Sequence, residues 1–306
     1  MIKKVLKFVF DKKYRFLVGS NLGLYKDIPD VTFLHKKFNF TIGKQIDFDA
    51  PETFNEKLQW LKLYDRRSEY TTMVDKFEVK KYIVEKIGEE YLIPTLGVWD
   101  DFDDIDFSLL PDKFVLKCTH DSGGLVVCNN RFTFDIKKAK KIINRSLKRN
   151  YYLTGREWPY KNVKPRIIAE QYMEDEKTSE LRDYKFFCFN GEVKCFKIDF
   201  NRFISHRANY YDKSGNILHF GETVCPPDFN RIIEMPIQLE LMVELAEKLS
   251  KGIPFLRVDF YEVNGRVYFG ELTFFPASGF GRFEPEEWDY KLGEWLVLPD
   301  KKTTSN

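Results

Sequence analysis

Charge of one sign is missing from this sequence. Its 306 residues carry 49 Lys and Arg against 47 Asp and Glu, a net charge of +2. Near balance argues against a general nucleic-acid binder, whose footprint is a strongly basic face. It leaves room for a local basic channel that takes an anionic substrate. Long apolar runs are missing too: none approaches the ~20 residues a membrane span needs, and the start does not read as a signal peptide. There are only five cysteines, at 118, 128, 188, 195 and 225, and no two have the C-x-x-C spacing of zinc or dithiol sites. They read as reduced, buried thiols of a cytosolic protein. No internal repeat, low-complexity tract or Walker A pattern occurs. The stretch SGFGRFE (278–284) lacks the third glycine of G-x-G-x-x-G.

What is present is core material. Hydrophobic residues make up 43% and aromatics 16%, with 29 Phe and 16 Tyr, which predicts a globular chain with thick, strand-rich cores. Residues 1–74 read as a mixed, mainly helical lobe. Its start, MIKKVLKFVFDKKYRF, is basic and amphipathic: it either lies on an anionic membrane surface or docks on its own domain. FNEKLQWLKLYD (54–65) has Leu58, Trp60, Leu61 and Leu63 for a buried helix face. DKFEVKKYIVEKIG (75–88) has Asp75 as N-cap, Gly88 at C′, and Val79, Tyr82, Ile83 and Ile87 on one side.

Further on, DDFDDIDF (100–107) reads as a solvated acidic loop, because it lacks the ligand spacing of a hard-cation site. Two short strands, KFVLKC (113–118) and LVVC (125–128), flank a glycine loop. A helix over 134–150 turns Ile136, Ala139, Ile143 and Leu147 inward, and RIIAEQYM (166–173) reads as a strand. Two hairpins are predicted, 183–200 turned at Asn190-Gly191 and 255–274 turned at Asn264-Gly265, with a helix between them that starts at Pro236 and ends at Gly252. The tally is an α+β chain, mainly antiparallel in its second half.

Four features carry chemistry. Lys117 ends an apolar strand just before THDSGG, where glycine-loop amides form an anion-binding concavity and a lysine adds a point charge. Lys76 follows a helix cap. On local grounds alone each lysine reads as a surface residue. Asp259 and Glu271 interrupt the two apolar strands of the second hairpin, so each needs a partner if buried. Two such carboxylates beside a nucleotide would hold Mg²⁺; the competing reading is salt bridges to Arg257 or Arg266. Strict alternation from a two-residue turn pairs Asp259 with Gly270 and puts the two acids on opposite faces, unless a bulge or a longer turn intervenes. Finally, FNRFISHRANYYD (200–212) gathers Arg202, His206 and Arg207. These suit an anionic sugar, or His206 serves as a proton acceptor or a structural residue.

The order of these pieces (DK cap, strand-Lys-glycine loop-strand, helix, strand-Glu-connector, D-x-K, acidic hairpin) resembles the ATP-grasp superfamily. More narrowly, KFVLKC-H-SGG with REWPYKNVKPRIIAEQY, DYKFFCFNGE and ELTFFPASGFG resembles the TupA-like ATP-grasp proteins of teichuronopeptide and capsular polysaccharide biosynthesis, over about Phe54 to Leu298. The resemblance implies an ATP-grasp fold in which two α+β lobes clamp ATP. Residues 75–170 would form a central lobe with the glycine lid and 171–306 a C-terminal lobe, beside the N-terminal lobe. It implies that Lys76 and Lys117 contact phosphates, and that Ser122, Gly123 and Gly124 close over them. Glu170, Gln171, Tyr172 and Met173 would form the adenine hinge. Asp183 would make ribose or metal-side contacts, with Glu180 competing. Lys185 and Arg202 would face the γ-phosphate and an acyl phosphate. Asp259 and Glu271 would hold Mg²⁺, with Thr273 where the family often has Asn.

The chemistry so implied is carboxylate activation by ATP followed by amine attack. The acid would be a uronic acid of a surface polysaccharide or its precursor, and the amine a small amine or amino acid. The enzyme would be cytoplasmic, and its basic N-terminus either touches the inner membrane face or docks on its own domain. The rivals are a nucleotide-sugar glycosyltransferase, a sugar kinase on the same fold and a non-catalytic nucleotide-binding scaffold.

Overall fold

The computed structural model describes residues 7–175, 181–201 and 204–301. Two antiparallel sheets organise it. The smaller has the order β1-β4-β2-β3, from Thr95–Trp99, Ile167–Gln171, Phe114–Cys118 and Leu125–Cys128. The larger has the order β11-β10-β5-β6-β7-β8. Its strands are Arg266–Thr273, Phe255–Val263, Asp183–Phe189, Glu192–Phe200, Arg207–Tyr211 and Ile217–Leu218. Gly221–Glu222 (β9) and Phe283–Glu284 (β12) make a third, two-stranded pair.

Both hairpins turn where the Asn-Gly pairs lie. Asn190 (φ 52°) and Gly191 (φ 86°), then Asn264 (φ 52°) and Gly265 (φ 74°), take the left-handed conformations that a two-residue hairpin turn requires. Helix Phe54–Tyr64 opens with a reciprocal cap between Thr53 and Glu56, and its Leu58, Trp60, Leu61 and Leu63 are buried. Asp75 accepts from the amides of Phe77 and Glu78, and Gly88 (φ 117°) follows helix Val79–Lys86.

Three helices differ from expectation; the one read as capped by Asp75 begins only at Val79, with Glu78 as its N-cap. The helix after Pro236 runs over Leu239–Ser250, because Leu239 N–H bonds the carbonyl of Pro236 three residues back and the first turn is not yet α-helical. Helix Ile136–Leu147 buries Ala139 and Ile143 and half-buries Leu147, but Ile136 is exposed at its first turn.

The small sheet has its own core, in which Phe114, Leu116 and Ile167 meet Phe102, Ala139 and Ile143. The large sheet shares one core with the N-terminal helices, so Phe16, Phe33, Phe38 and Phe54 belong with Phe187, Phe189 and Phe255. At the N-terminus, Phe16 stacks on Tyr25 at 4.8 Å while Val9 and Phe10 stay exposed. The five cysteines are free and buried.

The layering of the large sheet positions the site. Val258, Phe260, Phe186 and Ile198 pack with Met242, Leu245 and Leu249 of helix Leu239–Ser250. On the other face, Phe255 and Phe189 pack on Phe54, with ring centroids 4.9 and 5.7 Å away. Farther along that same face, period-two alternation brings up Arg257 and Asp259, then Asp183 and Lys185, as an open polar floor.

Candidate functional site

One cleft of about 310 Å³ lies between the two sheets. The small sheet and its approaches supply Lys76, Lys80, Lys117, the loop Asp121–Gly124 and Glu170. The large sheet supplies Asp183, Lys185, Asp259 and Glu271. Leu92, Ile93, Leu125, Tyr261 and Phe269 add apolar wall. The chain crosses between the sheets after Gln171, which ends β4, and re-enters at Asp183, which begins β5.

The two acids of the hairpin do meet. The turn pairs Val263 with Arg266 as alternation requires, but the register shifts between Asp259 and Phe260, so Asp259 lies opposite Glu271 and Gly270 is the extra residue. A Cβ on Gly270 would stand 3.0 Å from the Asp259 carbonyl and 3.1 Å from the Tyr261 ring, so the bulge needs glycine's bareness. Cross-strand partners continue this row from Glu271 through Asp259, Lys185 and Lys197 to Tyr210, five strands deep on one face.

Charge on this floor is tightly matched. Arg257 donates to both Asp259 oxygens at 2.7 Å and to Glu271 Oε1 at 2.8 Å. Lys185 Nζ lies 2.8 Å from Asp183, 3.0 Å from Asp259 and 3.5 Å from Asp199. Burial alone would depress the Lys185 ammonium, but Asp259 and Asp183 outweigh it and hold its pKa above the ordinary lysine value. Burial would likewise raise Glu271, yet Arg257 and Lys76 pull it below the usual glutamate value. The salt bridges weighed from sequence therefore exist, through Arg257, alongside the cleft-lining position of both acids.

On the opposite wall, Glu170 partners the ammonium that stands near the end of an apolar strand. Its buried carboxylate receives Lys117 at 2.7 Å and Lys80 at 2.6 Å. Burial would raise its pKa, but the two lysines win and lower it. Lys76 donates to the Asp121 carbonyl. Burial depresses its ammonium, against the pull of Glu271 and Asp121. The glycine loop is tied down locally, since Asp121 Oδ1 accepts from the amides of Gly123 (3.2 Å) and Gly124 (3.0 Å), and Ser122 donates to Tyr151 at 3.2 Å.

The cleft thus assembles Lys76, Lys117, Ser122, Gly123, Gly124, Glu170, Asp183, Lys185, Asp259 and Glu271. Gln171, Tyr172, Met173, Thr273 and His206 are not among its lining residues. Gln171 N–H is committed to the Pro94 carbonyl at 3.0 Å. Thr273 Oγ1 sits 3.3 Å from Glu271 Oε1. His206 reaches Asp199 at 3.2 Å. Arg202 and Glu180 lie outside the described residues. His120, deep under the loop, faces the carbonyls of Ser146 and Arg149 at 3.1 Å each and is a packing residue. Sequence reasoning missed Lys80, which stands one turn beyond Lys76 and was legible from that spacing. It also missed Leu92 and Ile93, which no motif marks.

The donor set fits a nucleotide with Mg²⁺. Three lysines and a glycine loop suit phosphates, and the apolar wall suits a base. Asp259 and Glu271 are hard oxygen donors in register. Among the described residues no group of three acids, His or Cys could hold a metal unaided. Mg²⁺ sites use one or two carboxylates together with substrate phosphates.

Among solved structures, the D-alanine–D-alanine ligase from Bacillus anthracis complexed with ATP is 14% identical with a TM-score of 0.42, over 74% of this chain and 63% of its own. That from Helicobacter pylori is 13% identical with a TM-score of 0.41, over 81% and 70%. An L-amino acid ligase from Bacillus licheniformis is 13% identical with a TM-score of 0.43, over 74% and 49%, so this chain spans half to two thirds or slightly more of these proteins. No curated protein matches the sequence. The TupA-like ATP-grasp family model matches residues 56–297, and the chain therefore belongs to that family.

Proposed function

We propose that this chain is an ATP-dependent carboxylate–amine ligase. Its acid would be a uronic acid of a surface polysaccharide or its precursor, and its amine a small amine or amino acid. The observation that carries the reading is the cleft itself, where a lysine cluster on one sheet faces a carboxylate pair on the other. Lys76, Lys80 and Lys117 would neutralise phosphate charge, and Lys185 would stabilise charge developing on the transferred group. Asp259 and Glu271, with Thr273 beside them, would hold Mg²⁺, which supplies charge neutralisation on the phosphates when bound. Closure of the loop at Ser122–Gly124 would keep water from the activated acid. No described helix is long and apolar enough to cross a membrane. The exposed Val9 and Phe10 beside basic residues suit peripheral contact with an anionic surface at the inner face.

The test is ADP release with ATP, Mg²⁺, D-glucuronate or D-galacturonate, and glycine, L-lysine or ethanolamine. Release that needs both acid and amine, is lost in Lys117→Ala and stops with EDTA is the expected result. Phosphorylated sugar without amine, or turnover only with a nucleotide sugar, would replace the ligase with a kinase or a transferase.

A further inference from the structure

Lys80 and Lys117 both line the cleft and both meet Glu170, yet their ammonium groups stand differently. Lys80 Nζ lies 2.6 Å from Glu170 Oε1, donates to Thr95 Oγ1 at 2.7 Å and donates to the Ile93 carbonyl at 2.8 Å. An ammonium has three protons, and here each has an acceptor. Lys117 donates to Glu170 Oε2 at 2.7 Å. Among the described residues that carboxylate is its one hydrogen-bond acceptor, so two of its protons remain for a ligand. Their side chains are 14% and 18% exposed, so the acceptors and not the exposure separate the two lysines. Glu170 lies between them in the sheet, with Thr95 of β1 and Val115 of β2 as its cross-strand partners. Its lowered pKa keeps it charged at neutral pH.

This deepens the nucleotide-binding part of the ligase reading and rests on it. We propose that Lys80 is a positioning residue: it does not touch the nucleotide, but takes one oxygen of Glu170 and so leaves Lys117 with net charge and free protons for a phosphate. Two ammonium groups and one carboxylate leave a single positive charge at this place in the cleft. Without Lys80 the same carboxylate cancels Lys117 in full, and an arriving phosphate meets a neutral pair with a negative group directly behind it. Lys80 also fixes where that carboxylate stands. Through Ile93 and Thr95 it ties Glu170 to the start of β1, which holds Oε2 at the distance Lys117 needs. A direct contact between Lys80 and phosphate would instead break one of these three bonds. The two roles give opposite results when the charge of Glu170 is removed together with that of Lys80. If Lys80 serves only to offset Glu170, the double substitution restores the single positive charge on Lys117. If Lys80 binds phosphate or merely braces the sheet, removing Glu170 as well restores nothing.

The experiment measures binding, not turnover. The Kd for ATP with Mg²⁺ is read by titration calorimetry on the parent, Lys80→Met, Glu170→Gln and the double variant Lys80→Met/Glu170→Gln, at a temperature where each is folded by its urea midpoint. Lys80→Met should weaken ATP on the order of 10-fold, the scale of one unit charge removed from the neighbourhood of a phosphate. The double variant should recover most of that loss, and Glu170→Gln alone should bind at least as tightly as the parent. Lys80→Gln removes the charge but keeps a donor for Thr95 and Ile93; it should behave as Lys80→Met does, and it carries the test if Lys80→Met does not fold. A double variant as weak as Lys80→Met, or weaker, would overturn the assignment, and so would a Lys80→Met that binds ATP at the parental Kd. A parent that binds no ATP would overturn the nucleotide reading itself.

Discussion

Lys117 and Glu170 are the residues that carry the small-sheet side of the cleft. Val115 pairs with Glu170 across the sheet, and Lys117, two residues on, points to the same face, so their contact is diagonal. Lys80 reaches the same carboxylate from helix Val79–Lys86. Glu170 was expected as part of an adenine hinge; its side chain here is the counter-ion that lets two ammonium groups stand together before a nucleotide arrives. Removing its charge leaves them facing each other in a partly desolvated place. Glu170→Gln should therefore destabilise the fold by about 3 kcal/mol, read as a lower urea midpoint with unchanged slope. The pH dependence follows from the lowered pKa of Glu170. As pH falls through the ordinary glutamate value the unfolded chain takes up this proton first, so the stability Glu170 contributes above that value is lost as pH drops through the folded one. The parent should lose stability more steeply than Glu170→Gln in that acid window. Parallel slopes would show that the carboxylate is not held by the lysines.

At the scale of elements, the hairpin 255–273 shows how far sequence reading goes. The Asn-Gly turn and the first pairs outward were legible, because two-residue turns have strict backbone demands. The facing of Asp259 and Glu271 was not. It depends on one unpaired residue, Gly270, whose need for bareness comes from the Asp259 carbonyl and the Tyr261 ring on the neighbouring strand, and no local rule sees that contact. Lys76, Lys117 and the glycine loop read locally as surface features, and only the order of motifs along the chain, which resembles the ATP-grasp superfamily, pointed to the one cleft they line. Gly270→Val should force the two strands apart at the bulge or slide their register, which swings Glu271 away from Asp259. ADP release should drop at least ~100-fold, on the scale of losing a preorganised electrostatic group. Far-ultraviolet circular dichroism should stay close to the parent's, because the outer pairs and the core face remain. Near-parental turnover would mean that the two acids need not face each other.

The whole molecule is two sheets with separate support. The small sheet has its own core, while the large one is braced by the N-terminal helices and by the C-terminal helix Glu287–Trp295, whose Asp289 accepts from Asn55 at 3.0 and 2.9 Å. That bracing was not legible, because the apolar residues of 1–74 predict a buried face without naming the partner. It has a consequence for ligand binding. The large sheet carries these helices on one face and helix Leu239–Ser250 on the other, and the small sheet joins it through the crossing near Lys76 and the one after Gln171. A nucleotide that touches Lys117 on one sheet and, through Mg²⁺, Glu271 on the other ties the two together, and each sheet contributes only part of its affinity. ATP with Mg²⁺ at 100 times its Kd should stabilise the fold by about 2.7 kcal/mol, raising the melting temperature by on the order of 5 °C. Lys117→Ala should shrink that rise whether or not Mg²⁺ is present. Glu271→Gln should abolish only its Mg²⁺-dependent part, because the lysine wall is intact. Hydrogen exchange at Gly123 and Gly124, whose amides bond Asp121 here, should slow on adding ATP. A melting temperature that rises equally in both variants would place the nucleotide on one sheet alone, and the two-sided clamp would fall with it.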